Sequence, residues 1–244
     1  MNLIKKIVFK IISFVPTKIT VFIIELLLWS KSENLNPKKA LAFLFEVDKI
    51  LYGLEGRNAT RYDGGIHAKH RLMNYHKFFI DNIPIGSRVL DIGCGNGALA
   101  WDIVKNVKDV HLIGIDINSE SINLARRNYQ SSNLQFISGD ATKDLPNEKF
   151  DVIVLSNVLE HIEKRIEFLT IIKEKYQPKL FLIRVPMFNR DWRVPLKKEI
   201  GVDYRLDETH FIEYTFEEFE NEINQSGLKI KSKQIIWGEI WAVI

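Results

Sequence analysis

At 244 residues, with 46% hydrophobic and 27% charged side chains, the chain has the composition of one well-buried α/β domain plus a substantial extension, which excludes wholesale disorder, collagen-like repetition and a disulfide scaffold. The net charge of +3 resides in the first thirty residues, since setting aside Lys5, Lys6, Lys10, Lys18 and Glu25 leaves 30 of 34 bases and 30 of 31 acids. A balanced body argues against a nucleic-acid partner, which calls for a concentrated cationic surface, and the one cysteine, Cys94, can make no internal disulfide, so a reducing cytoplasm is expected.

Residues 1–30 are rich in Ile, Leu, Val and Phe but interrupted by charges and by Pro16. The longest charge-free stretch falls short of the roughly 20 residues that a spanning helix requires. No small-residue cleavage pattern follows it, which argues against a signal peptide. Two short amphipathic helices are expected, the first with Leu3, Ile4, Ile7, Ile11 and Phe14 on one face. They either pack on the rest of the protein or lie in an anionic membrane surface, at the inner face of the membrane. A second helical pattern runs from Asn36 to Gly53, followed by a loop from Glu55 to Gly65, and a third helix is expected from about His67 to Asp81. Pro84 and Gly86 end it.

Beyond this point, short β-branched or aliphatic runs alternate with helical stretches, the texture of βαβ units and a parallel sheet. Five strands are expected at about Arg88–Ile92, His111–Ile115, Leu134–Ile137, Val152–Leu155 and Lys179–Val185, with helices beginning near Asn96, Ser119 and Ile162. Thr215, with Glu218 three residues on, reads as the capping box of a further helix. Lys229–Ile236 and Glu239–Ile244 form a closing hairpin that turns at Trp237 and Gly238.

The strongest chemical signal is Val89 to Gly97, VLDIGCGNG, a strand running into a glycine-rich turn and a helix start. Gly93, Gly95 and Gly97 allow a tight turn and close approach to a ligand, and the helix start presents unpaired N–H groups. The spacing is G-x-G-x-G, not that of the dinucleotide fingerprint, and Asp91 precedes it within the strand. Asp116 ends the second strand, Asp140 follows the third, and FDVIVLSNVLEHI spans the fourth and its loop.

In this combination the chain resembles the class I S-adenosylmethionine-dependent methyltransferases over about Arg88 to Val185. The resemblance implies a Rossmann-like, mostly parallel seven-stranded sheet with helices on both faces, preceded by an N-terminal helical extension. Residues 1–85 form the extension and 86–244 the cofactor domain, with an acceptor-binding insertion at 184–210. It implies S-adenosylmethionine as cofactor, held by Asp91, Gly93, Cys94, Gly95 and Gly97. Asp116 with Ile117 serves the ribose hydroxyls, Asp140 with Ala141 the adenine, and Ser156 with Asn157 the methyl-transfer end. A carboxylate suits a vicinal diol because it accepts charge-assisted hydrogen bonds.

His161 lies in the loop after strand four, where a neutral imidazole can take a proton from a hydroxyl acceptor. Some quinone-precursor O-methyltransferases carry a Glu-x-x-Glu-His metal motif here; this chain has Asn157 in place of the first Glu, so no metal is expected. Acceptor-binding candidates are His67, His70 and Arg71 on the upstream helix, and Arg184, Arg190, Trp192, Arg193 and His210 in the insertion, where long polar loops are commonly functional. His76 falls on the apolar side of its helix, as a core histidine. The expected reaction is methyl transfer to an oxygen or nitrogen of a small-molecule or glycan acceptor. Asn189–Trp192 and Trp237–Trp241 resemble segments of methyltransferases that accompany surface-polysaccharide synthesis. The alternatives are a quinone-precursor or lipid methyltransferase, and a cofactor-binding subunit without turnover.

Overall fold

A computed structural model describes Lys10 and residues 12–244. Leu3, Ile4, Ile7 and Ile11, and so most of the first expected helix, lie outside the described residues. The chain divides into two compact units, residues 1–67 with 197–203, and residues 68–196 with 204–244.

In the first unit, α1 (Thr17–Glu33) packs with α2 (Pro37–Tyr62). Asn36 caps α2 by accepting the Lys39 N–H at 3.0 Å, and Pro37 occupies the first turn, where its missing N–H costs nothing. The loop expected from Glu55 is instead helix as far as Tyr62. Gly53 and Gly56 weaken that helix by only about 1 kcal/mol each, too little to end it. The stop comes at Gly64 and Gly65, whose φ values are +71° and +102°. Lys197 rejoins this unit, 3.5 Å from the Asp48 carboxylate and over the Phe45 ring. No residue of α1 is buried, and Ile19, Phe22, Ile23, Leu26, Leu27 and Trp29 are exposed. No described helix is long and apolar enough to cross a membrane.

The second unit begins with α3 (Lys69–Met73) and α4 (Tyr75–Asn82). A single helix was expected here; Asn74 adopts φ 50°, a left-handed conformation that Asn tolerates, and breaks it. There follow β1 (Arg88–Ile92), α5 (Ala98–Asn106), β2 (His111–Asp116), α6 (Ser119–Asn128), β3 (Leu134–Ser138) and β4 (Val152–Ser156). A 3₁₀ turn at Leu159–His161 precedes α7 (Arg165–Tyr176), and β5 (Leu180–Pro186) leads to α8 (Arg193–Ile200), whose last residues belong to the other unit. The chain closes with α9 (Phe216–Gln225), β6 (Ser232–Ile236) and β7 (Glu239–Val243). The capping box on α9 forms as expected, with Thr215 Oγ1 accepting from the Glu218 N–H at 3.1 Å.

The seven strands lie in the order β3-β2-β1-β4-β5-β7-β6, all parallel except β7, which runs antiparallel to β5 and β6. Side chains alternate between the two faces along each strand. One face therefore packs Leu90, Ile92, Ile153 and Leu155 against Phe168 and Leu169 of α7 and Phe219 of α9. The other packs Val89, Val152 and Val154 against Phe78 and Phe79 of α4, Ile103 of α5 and Ile122 of α6. Helices on both faces of a mostly parallel sheet make this a Rossmann-like α/β fold. Residues 68–82 belong with the sheet because Tyr75, Phe78 and Phe79 are buried there.

Candidate active site

The strand order reverses direction between β1 and β4, so their C-terminal loops diverge and leave a crevice between them, the place where open α/β sheets bind ligands. The loop after β1 is held against β2, since the Gly93 and Cys94 N–H groups both donate to the Ile115 carbonyl at 2.8 and 3.2 Å. Gly93 and Gly97 both have φ near +75°, at +70° and +80°, and a Cβ on either would stand 2.5 Å from Val158 Cγ2 or Phe136 Cζ respectively. Only glycine fits these two positions. Asp116, at the end of β2, accepts the Gly95 N–H on one oxygen and the Asn118 N–H on the other, each at 2.8 Å. Those bonds fix the carboxylate while leaving further lone pairs for a ligand.

The crevice is about 780 Å³ and is lined by Gly93, Asp116, Ile117, Asp140, Ala141 and Asn157 of the residues expected to hold a cofactor. Asp140 is partly committed to its own turn, accepting from the Thr142 N–H and hydroxyl at 2.9 and 2.7 Å and pairing with Lys143. The Thr142 hydrogen bonds, with help from Lys143, hold its carboxyl down at about 2. Asp91 is fully buried and one of its oxygens has no partner. Burial, with repulsion from Asp116, pushes its carboxyl up to about 8. A buried carboxyl without a partner is stabilised by a cationic ligand, and Asp116 presents acceptors to a diol. The donor set and the crevice volume fit S-adenosylmethionine, whose sulfonium is cationic. Cys94 is buried, its thiol pushed up by burial, and Ser156 is occupied by Arg184; neither lines the crevice, and nor do Asp91, Gly95 and Gly97.

The candidates for the acceptor side separate. His161 lines the crevice together with Thr209 and Phe211, which return from the insertion, and His210 packs edge-on against His161 with ring centroids 4.5 Å apart. Arg184 is placed elsewhere: it is buried in a bidentate pair with Glu239, with its guanidinium 3.8 Å from the centroid of the Tyr75 ring. Arg190 pairs with buried Glu213, Arg193 pairs with Asp191, and Trp192 is exposed away from the crevice lining. His67 belongs to the first unit. His70 meets Tyr75 Oη at 2.8 Å and His76 at 3.3 Å, and none of His67, His70 or Arg71 lines the crevice. His76 is mostly buried and reaches Asp102 Oδ2 at 2.5 Å.

Sequence reasoning missed Glu160, Thr209, Phe211, Phe168 and Ile171. Of these only Glu160, beside His161, carried a local signal. The others reach the crevice through the return of the insertion and the packing of α7, neither of which any spacing encodes.

Residues 85–192 match the family model described as a methyltransferase domain. The fatty-acid O-methyltransferase of Mycolicibacterium smegmatis is 33% identical over 113 residues, covering 45% of this chain and 40% of that protein. The malonyl-[acyl-carrier protein] O-methyltransferase of Halalkalibacterium halodurans is 27% identical over 137 residues, covering 52% and 51%. The chain thus spans about half or less of these relatives' length. Among solved structures, a SAM-dependent methyltransferase from Aquifex aeolicus superposes with a TM-score of 0.57 at 17% identity, over 78% of this chain and 98% of that one. With the glycine turn, the acidic strand ends and this strand order, residues 85–192 carry a methyltransferase domain of the Rossmann-like type.

Proposed function

We propose that the protein transfers a methyl group from S-adenosylmethionine to an oxygen of an acceptor with an apolar body, of the acyl or lipid class. The observation that carries this reading is the composition of the crevice. Asp116 and Asp140 line it from the ends of β2 and β3, and His161 lines it together with Ile162, Phe168, Ile171 and Phe211, with Glu163, Lys164 and Glu167 beside them. The glycan expectation rested on a resemblance of Asn189–Trp192 and Trp237–Trp241 to polysaccharide-linked methyltransferases, and in and beside the first of these the guanidiniums of Arg190 and Arg193 are committed to Glu213 and Asp191. The two relatives named above act on a fatty acid and on malonyl-[acyl-carrier protein], which supports the acyl alternative.

The cofactor supplies an electrophilic methyl on a sulfonium, leaving a neutral thioether. The chain supplies position and dryness. Asp116 holds the ribose hydroxyls, Asp91 meets the cationic end, and Ile117, Ala141 and Leu145 cover the purine. His161 handles the acceptor's proton. The Thr209 hydroxyl donates to Asp207 at 2.7 Å, so it must accept from His161 Nδ1 at 2.8 Å, which leaves the lone pair on Nε2. Burial and the neighbouring His210 lower the pKa of His161, keeping that lone pair available at neutral pH.

Calorimetry with S-adenosylhomocysteine, followed by an acceptor screen with methyl-labelled cofactor, tests the proposal. Asp116→Ala is expected to weaken cofactor affinity by about ten- to a hundredfold, the worth of a charge-assisted hydrogen bond. Unchanged affinity in that variant would sink the cofactor assignment, and methylation confined to sugars would sink the acyl one.

The bare apolar surface of α1, with Lys10 and Lys18 beside it, supports peripheral contact with a membrane through residues 1–30. Full-length protein is expected to co-sediment with anionic vesicles, less so as salt rises. A chain starting at Asn34 that partitions equally would show that the segment has no such role.

A further inference from the structure

The 3₁₀ turn after β4 places one oxygen of Glu160 within 4.8 Å of a ring nitrogen of His161 and of His210. Glu160 is wholly buried, yet neither carboxylate oxygen has a hydrogen-bond partner. Such a group is unfavourable in a packed interior unless something compensates it. Both histidines are oriented from behind. His161 Nδ1 donates to Thr209 Oγ1, and His210 Nδ1 donates at 2.9 Å to Glu213, which also accepts the Leu206 N–H and pairs with Arg190. Each ring therefore carries its proton on Nδ1 and its lone pair on Nε2. A ring nitrogen fixed by a hydroxyl or carboxylate, with the other left bare, is how proteins prepare a histidine for a cation. The same loop carries a further buried oxygen without a partner, Asn157 Oδ1.

We propose that Glu160, His161 and His210 bind a first-row transition-metal dication that receives the acceptor's oxygen. Two imidazoles and one carboxylate suit manganese, iron, cobalt or zinc; magnesium and calcium prefer all-oxygen sets. The ion supplies the partner that Glu160 lacks, and His161 and Thr209 open onto the crevice, so vacant coordination positions face the acceptor. This rests on the methyl-transfer reading and changes one step of it: with His161 Nε2 on the ion, the ion and not the free imidazole activates the acceptor's hydroxyl. A hydroxyl bound there loses its proton to solvent more readily; its oxygen then bonds to the methyl carbon as the carbon–sulfur bond breaks and a neutral thioether leaves. The expectation of no metal considered only the contiguous motif, in which Asn157 replaces a Glu, whereas His210 arrives from the insertion.

Titrating the full-length protein with Co²⁺ and recording its visible absorption tests this directly, with S-adenosylhomocysteine affinity measured on the same samples. One saturable equivalent is expected. Glu160→Leu removes a ligand that has no hydrogen bonds to lose, and Thr209→Val, on an exposed loop, removes only the support of His161. Each is expected to weaken Co²⁺ binding by at least about tenfold while leaving nucleoside binding in place. Wild-type protein that binds the nucleoside but no Co²⁺, or variants that bind Co²⁺ as the wild type does, would overturn the metal site alone. Loss of nucleoside binding by the wild type would overturn the underlying reading instead.

Discussion

Glu239→Ala is expected to lower the free energy of unfolding by about 3–5 kcal/mol, the cost of leaving one charge of a buried pair uncompensated. Arg184 donates to Glu239 through Nε at 2.5 Å and through Nη2 at 2.8 Å, and only 3% of its side chain is exposed. Glu239 also accepts the indole N–H of Trp241 at 2.8 Å, and Arg184 reaches Ser156 Oγ at 3.2 Å across the β4–β5 register. Removing the carboxylate therefore strands two donors in the middle of the sheet. Urea unfolding is the measurement, with a lower midpoint and an unchanged slope as the expected result. Pairing the change with Arg184→Met is expected to recover part of the loss, because the double variant leaves no unpaired charge in the interior. Equal losses in the single and double variants would show that packing, and not the charge, sets the cost.

His161→Ala is expected to reduce kcat by ~10²- to 10⁴-fold with an acceptor that supports turnover, the range for losing the group through which the acceptor's hydroxyl is activated, whether the imidazole takes the proton itself or holds the ion that does so. KM and S-adenosylhomocysteine affinity are expected to change little, because the side chain meets the acceptor's reacting atom and not the nucleoside. The side chain lines the open crevice and packs edge-on against the His210 ring, so the fold tolerates the truncation. A matched fall in cofactor affinity would mark a structural role, and full turnover would remove His161 from the reaction.

The Arg184 and Glu160 results show where sequence reasoning stops. Arg184 sits at the end of a strand beside a polar insertion, which suggested a ligand contact. Its actual partner, Glu239, is supplied by β7 across an antiparallel pairing that no local pattern announces. Glu160 was visible beside His161, but its burial and lack of a partner depend on how the turn after β4 tucks under the returning insertion, where the Phe211 N–H donates to the Glu160 carbonyl at 2.7 Å. The helix break at Asn74 and the continuation of α2 through Gly53 and Gly56 were misjudged for a related reason: propensity differences of about 1 kcal/mol yield to context.

By itself the sequence determined the βαβ alternation, the glycine turn from Gly93 to Gly97, the acidic strand ends at Asp116 and Asp140, the α9 capping box and the hairpin at Trp237–Gly238. Each of these depends on hydrogen bonds or side-chain periodicity within a few residues, so spacing alone records it. Only the tertiary structure decided that Arg184, Arg190 and Arg193 serve ion pairs, and that Glu160, His161 and His210 meet at one point. Except for the local pair of Arg193 with Asp191, those arrangements join segments separated by 23 residues or more, and the burial around them exists only after the sheet and its helices have closed.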